Sequence, residues 1–155
     1  MNIQIPGLQT IRLDHLVLDY NGTLAEDGVL INGVTELLHQ LNRHLTIHVI
    51  TADTFGSVVN AMAEIPCEVK VIDPLQQDRQ KGEFVKKLGA EHVLAVGNGR
   101  NDKIMLKEAV LGIAVIQKEG TYAPLISEAD VVCTSITDAL ELLTHPKRLI
   151  ATLRN

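Results

Sequence analysis

Residues 15–25 read HLVLDYNGTLA, and this stretch decides the fold. The short apolar run from His15 to Asp19 is typical of a buried strand, and it stops at a carboxylate. Because Gly22 makes a turn just beyond the strand, the acid would stand beside exposed backbone amides, as a nucleophile next to an anion cradle does. In the alternative interpretation, Asp19 caps an Asx turn and Gly22 only supplies the bend. The stretch therefore predicts a strand with a candidate reactive acid at its exit.

Strand-like and helix-like segments alternate along the rest of the chain. Five further short apolar runs are typical of buried strands: Ile47 to Thr51, Glu68 to Ile72, His92 to Val96, Leu111 to Ile116 and Asp130 to Cys133. Helical spacing of apolar residues occupies the intervals: Val34 to Leu41, Ser57 to Ala63, Gly82 to Leu88, Asp102 to Ala109 and Thr137 to Leu143. Strict alternation predicts a three-layer, Rossmann-like α/β domain with a mainly parallel central sheet. No linker or repeat divides the chain, so we expect a single domain over residues 1–155.

Composition narrows the class of partner. The chain has 155 residues, 46% of them hydrophobic and 21% charged, and a net charge of -5. This charge argues against a nucleic-acid partner, because phosphate-backbone binding needs clustered Lys and Arg. No stretch approaches the roughly 20 apolar residues needed to cross a bilayer, and the start lacks the apolar core of a signal peptide. We therefore expect a cytoplasmic protein with no membrane or nucleic-acid partner.

The second predicted strand ends at Thr51, in the sequence VITADT. Its hydroxyl and the backbone amide of Ala52 can hold a phosphate oxygen, and a helix begins a few residues later, which favours anions. Thr51, Asp53 or Thr54 could equally be the N-cap of that helix. Both interpretations stay open at this point.

Lys81 follows the third predicted strand, at the entry to the helical stretch GEFVKKLG. A lysine at a helix start opposes the helix dipole, so its placement calls for another reason, and neutralising a phosphate is one. After the fourth strand, AVGNGRNDKIML places Asp102 at the start of the next helix, with glycines before it. The alternative is that Asn101 or Asp102 only caps this helix.

All four polar clusters follow successive strands of the predicted parallel sheet. Ligands bind beyond the carboxyl ends of such strands, so the clusters should meet in space. Two acids, a lysine, a hydroxyl and glycine-rich amides form the set needed to hold Mg²⁺, attack phosphorus and neutralise the transferred oxygens. Their convergence favours a phosphoryl-transfer site over four separate turns and caps.

At these residues the chain resembles the haloacid dehalogenase superfamily, whose four motifs it carries in order. DYNGTL, TAD, QKGEFVKKL and VGNGRNDKIMLKEAVLGIAV are most similar to the phosphorylation domain of P-type ATPases. The resemblance implies a phosphatase or phosphotransferase with Mg²⁺ as cofactor, a phosphorylated substrate and an aspartyl-phosphate on Asp19. It implies these site residues: catalytic Asp19, Thr51 and Lys81; phosphate-binding Gly22, Thr51, Ala52 and Lys81; metal-binding Asp19, Asn21 (through its backbone carbonyl), Asn98 and Asp102.

Two positions depart from the superfamily's usual pattern. Asn21 stands where hydrolytic members carry a second Asp that exchanges a proton, and general acid–base catalysis is worth about 10²–10⁴-fold. Asn98 stands where the fourth motif usually has an acidic metal ligand, so one negative charge is missing. We expect slow turnover and weaker Mg²⁺ binding. The alternative is a catalytically degenerate domain with a binding or regulatory role.

The intervals between elements leave no room for a cap domain. Leu24 to Gly33 can hold only a short hairpin that turns at Glu26, Asp27 and Gly28, and the loop after the third strand is also short. An open site implies either a bulky phosphorylated substrate or a neighbouring subunit that covers it, so we expect a homo-oligomer. The six histidines have no ligand-like spacing and are interpreted as surface or satisfied core residues.

Overall fold

A computed structural model describes residues 1–7, 10–53 and 56–155. The strands of this described part, in chain order, are β1 (Asn2–Gln4), β2 (Thr10–Arg12), β3 (His15–Asp19), β4 (Ala25–Glu26), β5 (Val29–Leu30), β6 (Thr46–Thr51), β7 (Glu68–Val71), β8 (Val93–Gly97), β9 (Leu111–Val115) and β10 (Val131–Cys133). Its α-helices are α1 (Val34–Leu41), α2 (Ser57–Ala61), α3 (Gln77–Leu88), α4 (Lys103–Glu108), α5 (Ile136–Thr144) and α6 (Pro146–Leu153). Short 3₁₀ turns cover Ala90–His92, Arg100–Asp102 and Ala123–Glu128.

The central sheet has six strands in the order β10-β9-β8-β3-β6-β7. Each neighbouring pair is parallel, with β3 in the middle between β6 and β8. Asp19 pairs with Ile50 of β6, and Leu18 pairs with Val96 of β8. The predicted α/β fold with a parallel sheet is confirmed, and each predicted strand lies within a residue or so of an observed one.

Two apolar cores lie on opposite faces of this sheet, because side chains alternate along a strand. Leu16 and Leu18 of β3 face the larger core, which also receives the helices α1 and α5. Val17, between them, faces the second core, which contains Val85 of α3 and Met105 of α4. The three layers are therefore helix, sheet and helix, and α3 and α4 cover the face from which Lys81 reaches the site.

The start of α3 corrects the sequence analysis. The helix begins at Gln77 and not at Gly82, so the DRQKG stretch is helical and Lys81 lies in the second turn. Apolar spacing missed this first turn because it is wholly polar, although Gln, Arg and Lys are good helix formers. Lys81 therefore does not oppose the helix dipole at a helix start, and its burial has a different cause.

The hairpin predicted between β3 and α1 is present. The strands β4 and β5 pair antiparallel, and the two residues between them, Asp27 and Gly28, both have positive φ (50° and 78°). This is the two-residue turn in which Asp-Gly is favoured. The hairpin is the one insertion between β3 and α1, and residues 72–76 alone join β7 to α3, so the described residues contain no cap domain.

Other elements had no counterpart in the sequence analysis. The strands β1 and β2 form a separate antiparallel pair, and α6 packs Leu149 into the larger core. Within the ranges that the structure describes, no helix is long and apolar enough to cross a membrane.

Candidate active site

Lys81 joins the two acids that the sequence analysis singled out. Its ammonium donates to Asp19 Oδ1 at 2.5 Å and to Asp102 Oδ1 at 2.6 Å. The exposed fractions are 1% for Lys81, 6% for Asp19 and 0% for Asp102. The end of β3, the turn after β8 and the helix α3 therefore supply one buried cluster of charges, as the convergence argument predicted.

The burial of this cluster shifts its proton equilibria. Burial, and after it the nearby charge of Asp102, raises the pKa of Asp19 to about 7, although Lys81 opposes the change. Burial by itself would lower the pKa of Lys81, but the two carboxylates outweigh it and raise that pKa above its usual range. Lys81 is therefore a fixed cation, and Asp19 is an acid that is costly to ionise without further positive charge.

A close approach of two helices brings Lys81 to Asp102. Gly82, the next residue in α3, packs so tightly on Ile104 of α4 that a Cβ atom at position 82 would overlap that side chain. Asp102 directly precedes α4. Because the helices can approach at a glycine, the lysine beside it can reach the acid that precedes the second helix.

Asp102 has both carboxylate oxygens engaged. Oδ1 accepts from Lys81, while Oδ2 accepts from the backbone amides of Asn98 at 3.0 Å and Gly99 at 2.8 Å. A Cβ at position 97 would lie 2.5 Å from Asp102 Cγ, so Gly97 leaves room for the carboxylate. Asp102 is the N-cap residue of α4 but makes no side-chain cap hydrogen bond to that helix; its carboxylate closes the turn before the helix and holds Lys81. These contacts favour a positioning role over direct metal ligation.

The turn after β3 packs on Asn98. Gly22 has φ +75°, and a Cβ there would overlap the Asn98 side chain. Thr23 is fully buried and donates its hydroxyl to Asn98 Oδ1 at 3.2 Å. Glycine is required at position 22 both for its backbone angle and for this close approach. Gly22 and Asn98 were predicted site residues, whereas Thr23 had no predicted role.

Thr51 lies one position beyond Ile50, the residue paired with Asp19, and is 2% exposed. Its hydroxyl accepts from the amide of Asp53 at 3.1 Å. Asp53 in turn accepts from the amide of Val58 at 2.8 Å, inside the first turn of α2. The N-cap position itself is Gly56, so of the three capping candidates Asp53 alone is seen to bind the first turn, and Thr54 lies outside the described residues. Thr51 thus lies at the end of β6, beside the strand that carries Asp19.

A cleft of about 400 Å³ opens at the end of these strands. It is lined by Tyr20, Asn21, Gly28, Ala52, Asp53, Ser57, Val58 and Gln77. A second cleft, of about 570 Å³, adjoins it at Gln77 and is lined also by Arg100 and Asn101. The predicted phosphate-binding Ala52 and the predicted metal ligand Asn21 therefore face a space large enough for a substrate.

The donor set at this site suits a hard cation. Among the described residues, no group of three or more His, Cys, Asp or Glu side chains is arranged to hold a metal ion. A cation would instead bind the Asp19 carboxylate, the Asn21 backbone carbonyl and the Asn98 amide oxygen. All of these are oxygens, which Mg²⁺ prefers. The residues fit such an ion, with fewer negative charges than a set of carboxylates would bring.

Residues 117–122, the segment that follows β9, were missed by the sequence analysis. Gln117 donates through Nε2 to the carbonyls of Gly22 and Thr23, both at 2.9 Å, and accepts from the amide of Ile136 at 2.7 Å. The segment also holds the hairpin, since Lys118 pairs with Glu26 at 2.9 Å. The polar residues after β9 could have indicated a site at this strand end, but the sequence gives no indication of the backbone groups that an uncharged glutamine binds.

A histidine pair lies away from this site, near the other end of the sheet. His48 is 3% exposed, its Nε2 lies 3.1 Å from His15 Nδ1, and its Nδ1 lies 3.1 Å from Glu68 Oε2. Burial, and then His15, lowers the pKa of His48, while Glu68 opposes the change. The interpretation of His48 as a core histidine agrees with this position.

Solved structures similar to this chain include a putative hydrolase of the haloacid dehalogenase superfamily from Legionella pneumophila, which is 13% identical, with a TM-score of 0.73 and coverage of 92% of this chain and 88% of that one. The 3-deoxy-D-manno-octulosonate 8-phosphate phosphatase of Moraxella catarrhalis, in complex with magnesium, phosphate and its sugar, is 18% identical, with a TM-score of 0.67 and coverage of 92% of this chain and 94% of that one. A phospho-aspartyl intermediate analogue of phosphoserine phosphatase is 16% identical, with a TM-score of 0.69 and coverage of 86% and 99%. The chain therefore has the haloacid dehalogenase fold, capless over the described residues.

Sequence comparison also finds relatives of the chain. No family model matches it. The uncharacterized protein MJ0073 of Methanocaldococcus jannaschii is 44% identical over 73 residues, which are 47% of this chain and 78% of that protein. The two therefore belong to one family. Human phospholipid-transporting ATPase ID is 35% identical over 120 residues, which are 70% of this chain but only 10% of that protein. The predicted likeness to P-type ATPases is confirmed over these 120 residues.

Proposed function

We propose that the protein is a Mg²⁺-dependent phosphatase or phosphotransferase that works through a phosphorylated Asp19. The observation that carries this proposal is the buried bridge from Lys81 to Asp19 and Asp102. A purely structural turn or cap does not require two buried carboxylates and a lysine at one sheet edge. Perturbed, buried charges beside a cleft are typical of catalytic sites.

In the proposed first step, a carboxylate oxygen of Asp19 attacks the phosphorus atom and the bond from phosphorus to the leaving oxygen breaks. The leaving group departs with the electron pair of that bond. Lys81, Thr51 and the backbone amide of Ala52 would stabilise the charge on the transferred oxygens, whereas the amide of Gly22 already donates to the carbonyl of Ala25 at 2.9 Å. A magnesium ion held by Asp19, Asn21 and Asn98 would supply further positive charge, and Asp102 would position Lys81. Water then attacks the phosphorus, which releases phosphate and regenerates Asp19.

Asn21 limits the substrates that this scheme can use. An amide cannot protonate a leaving group or deprotonate water, and such assistance is worth about 10²–10⁴-fold. The preferred donors should therefore have leaving groups that are stable as anions, such as acyl phosphates. Turnover should be slow, because the second step also lacks its base.

The first test compares the wild type with Asp19→Asn. Acetyl phosphate and p-nitrophenyl phosphate are incubated with each protein in Mg²⁺ and in EDTA, and phosphate release is followed. We expect Mg²⁺-dependent release by the wild type alone, faster with acetyl phosphate. Equal inertness of both proteins with every donor, together with no Mg²⁺-dependent binding of fluoroberyllate, would exclude the enzyme.

The second test replaces Asn21 by Asp, which restores a proton-exchanging group at the cleft. We expect hydrolysis of p-nitrophenyl phosphate to rise by about 10-fold or more, because general acid–base assistance is regained. An unchanged or lower rate in a normally folded variant would contradict the role assigned to this position.

A catalytically degenerate domain is the second candidate, and the amides at Asn21 and Asn98 favour it. It predicts that fluoroberyllate or phosphate binds with Mg²⁺ but that no donor turns over. Binding without turnover, lost in Asp19→Asn, would identify this case.

We also propose that a second copy of the chain covers the open cleft. Val29, at the tip of the hairpin, is 71% exposed, and Leu75, in the loop before α3, is 76% exposed. Size-exclusion chromatography with light scattering would test this homo-oligomer, and a monomer at all concentrations would contradict it. Location in the cytoplasm stays a prediction from sequence.

A further inference from the structure

The side chain of Asn98 is held at both ends. Its Nδ2 lies 3.0 Å from the backbone carbonyl of Gly120, and its Oδ1 lies 3.2 Å from the hydroxyl of Thr23. A backbone carbonyl can only accept, so the amide nitrogen must be the atom that faces Gly120. The amide oxygen is thereby turned towards Thr23 and the turn after β3, with one lone pair left for another partner.

A carboxylate would not fit these contacts. With Asp at position 98, an oxygen would replace the nitrogen and face the Gly120 carbonyl, acceptor against acceptor. Asn98 is only 8% exposed, so water has little room to separate the two oxygens. A buried acceptor that loses its donor is destabilising, and a buried charge more so.

The side chain also has little freedom to turn away. The backbone N–H of Asn98 donates to the Asp102 carboxylate, and the backbone carbonyl of Asn98 accepts from the N–H of Tyr122 at 2.9 Å. The backbone is therefore held on both sides of this side chain. Gly22 packs against the side chain itself, and Gln117 holds the carbonyl of Gly22. An aspartate at position 98 would therefore meet the Gly120 carbonyl without an alternative place to go.

We propose that the segment 117–122 is a positioning element that selects an amide at position 98 and turns its oxygen towards Gly22 and Thr23, in the turn after β3. The uncharged amide of Asn98 is therefore the group that this environment requires, and it is not a defect left by the replacement of an acid. The metal-binding part of this inference rests on the proposed function. Its consequence is opposite to that of simple charge counting, because restoring an acid at position 98 should harm the site.

The experiment measures the melting temperature in EDTA for the wild type and three variants. Asn98→Ala removes both hydrogen bonds, and Asn98→Asp adds the clash of acceptors. Asn101→Asp is the matched control, since its amide faces the adaptable side chain of Gln77 at 2.8 Å and not a backbone carbonyl. We expect Asn98→Ala to melt about 2–6 °C below the wild type, Asn98→Asp to melt lower still, and Asn101→Asp to stay within about 2 °C.

Calorimetric titration with Mg²⁺ supplies a second readout that a merely structural role would not move. Charge alone predicts tighter Mg²⁺ binding by Asn98→Asp, whereas the proposal predicts equal or weaker binding relative to the wild type. The proposal is overturned if the melting temperature of Asn98→Asp in EDTA equals or exceeds that of Asn98→Ala. It is also overturned if Asn98→Asp binds Mg²⁺ about tenfold more tightly than the wild type. A wild type that binds no Mg²⁺ would remove the ligand role and the proposed function together, while the order of melting temperatures would still decide the selection of the amide.

Discussion

The strongest prediction concerns removal of the cation between the two buried acids. Lys81→Met keeps the length of the side chain but leaves Asp19 and Asp102 without the ammonium that lies 2.5 Å and 2.6 Å from them. Breaking a buried ion pair by removing one partner costs about 3–5 kcal/mol. For a domain of this size that is a fall in melting temperature of about 6–20 °C. Lys86→Met, at a side chain that is 57% exposed, should change stability by less than about 0.5 kcal/mol.

Removal of the acid should act in the opposite direction. The pKa of Asp19 is raised from 3.8 to about 7, and at 1.36 kcal/mol per unit the ionised carboxyl costs the metal-free folded state up to about 4 kcal/mol. A raised pKa stabilises the folded state at low pH, and this contribution is lost as the pH rises from about 4 through 7. Asp19→Asn in EDTA should therefore match or exceed the wild type, by a margin that is larger at pH 8 than at pH 5.

Urea unfolding in EDTA, followed by circular dichroism, measures all of these free energies. The double variant Asp19→Asn with Lys81→Met should be more stable than Lys81→Met alone, because one of the two orphaned charges is gone. The reasoning is refuted if Lys81→Met unfolds like Lys86→Met, or if Asp19→Asn loses as much stability as Lys81→Met. If Lys81→Met does not fold, recovery of a folded protein in the double variant decides the point.

Two further predictions test the turn after β3 and the distant histidine pair. Gly22→Ala should lower the melting temperature by several degrees and abolish fluoroberyllate binding, since φ is +75° and the new Cβ would overlap Asn98; unchanged binding would contradict the packing described here. His48 has a lowered pKa because it is buried and lies beside His15, so the unfolded chain takes up the proton more readily and stability should fall as the pH drops below about 6.5. In urea unfolding, the His48→Gln variant should lose less stability than the wild type between pH 7.5 and 5.5. Equal losses would contradict the lowered pKa of His48, for which Glu68 must offset the effect of burial only in part.

The parts of the fold that sequence could predict are those with a strong local pattern. The run that ends at Asp19 was placed correctly, and the hairpin turn, expected at Glu26, Asp27 and Gly28, lies at the last two of these residues, because apolar runs and Asp-Gly turns are local signals. The first turn of α3 was not, since it has no apolar residue to mark a period. Gln117 was missed for a deeper reason, because its three hydrogen bonds join backbone groups about 20 to 95 residues away.

The placement of Lys81 shows why the candidate site needed both sequence and structure. Lys81 does bridge the two predicted acids, but the helix start from which it was predicted lies four residues earlier, at Gln77. The actual cause is tertiary: α3 and α4 approach closely at Gly82 and Ile104, and this contact brings the preceding lysine to Asp102. A glycine inside a helix is unfavourable by roughly 0.5–1 kcal/mol relative to alanine, so the fold accepts a local cost for the approach. The lysine and the glycine are adjacent in sequence for this reason. The absence of a side chain at position 82 lets α3 approach α4, and the long side chain at position 81 then reaches Asp102.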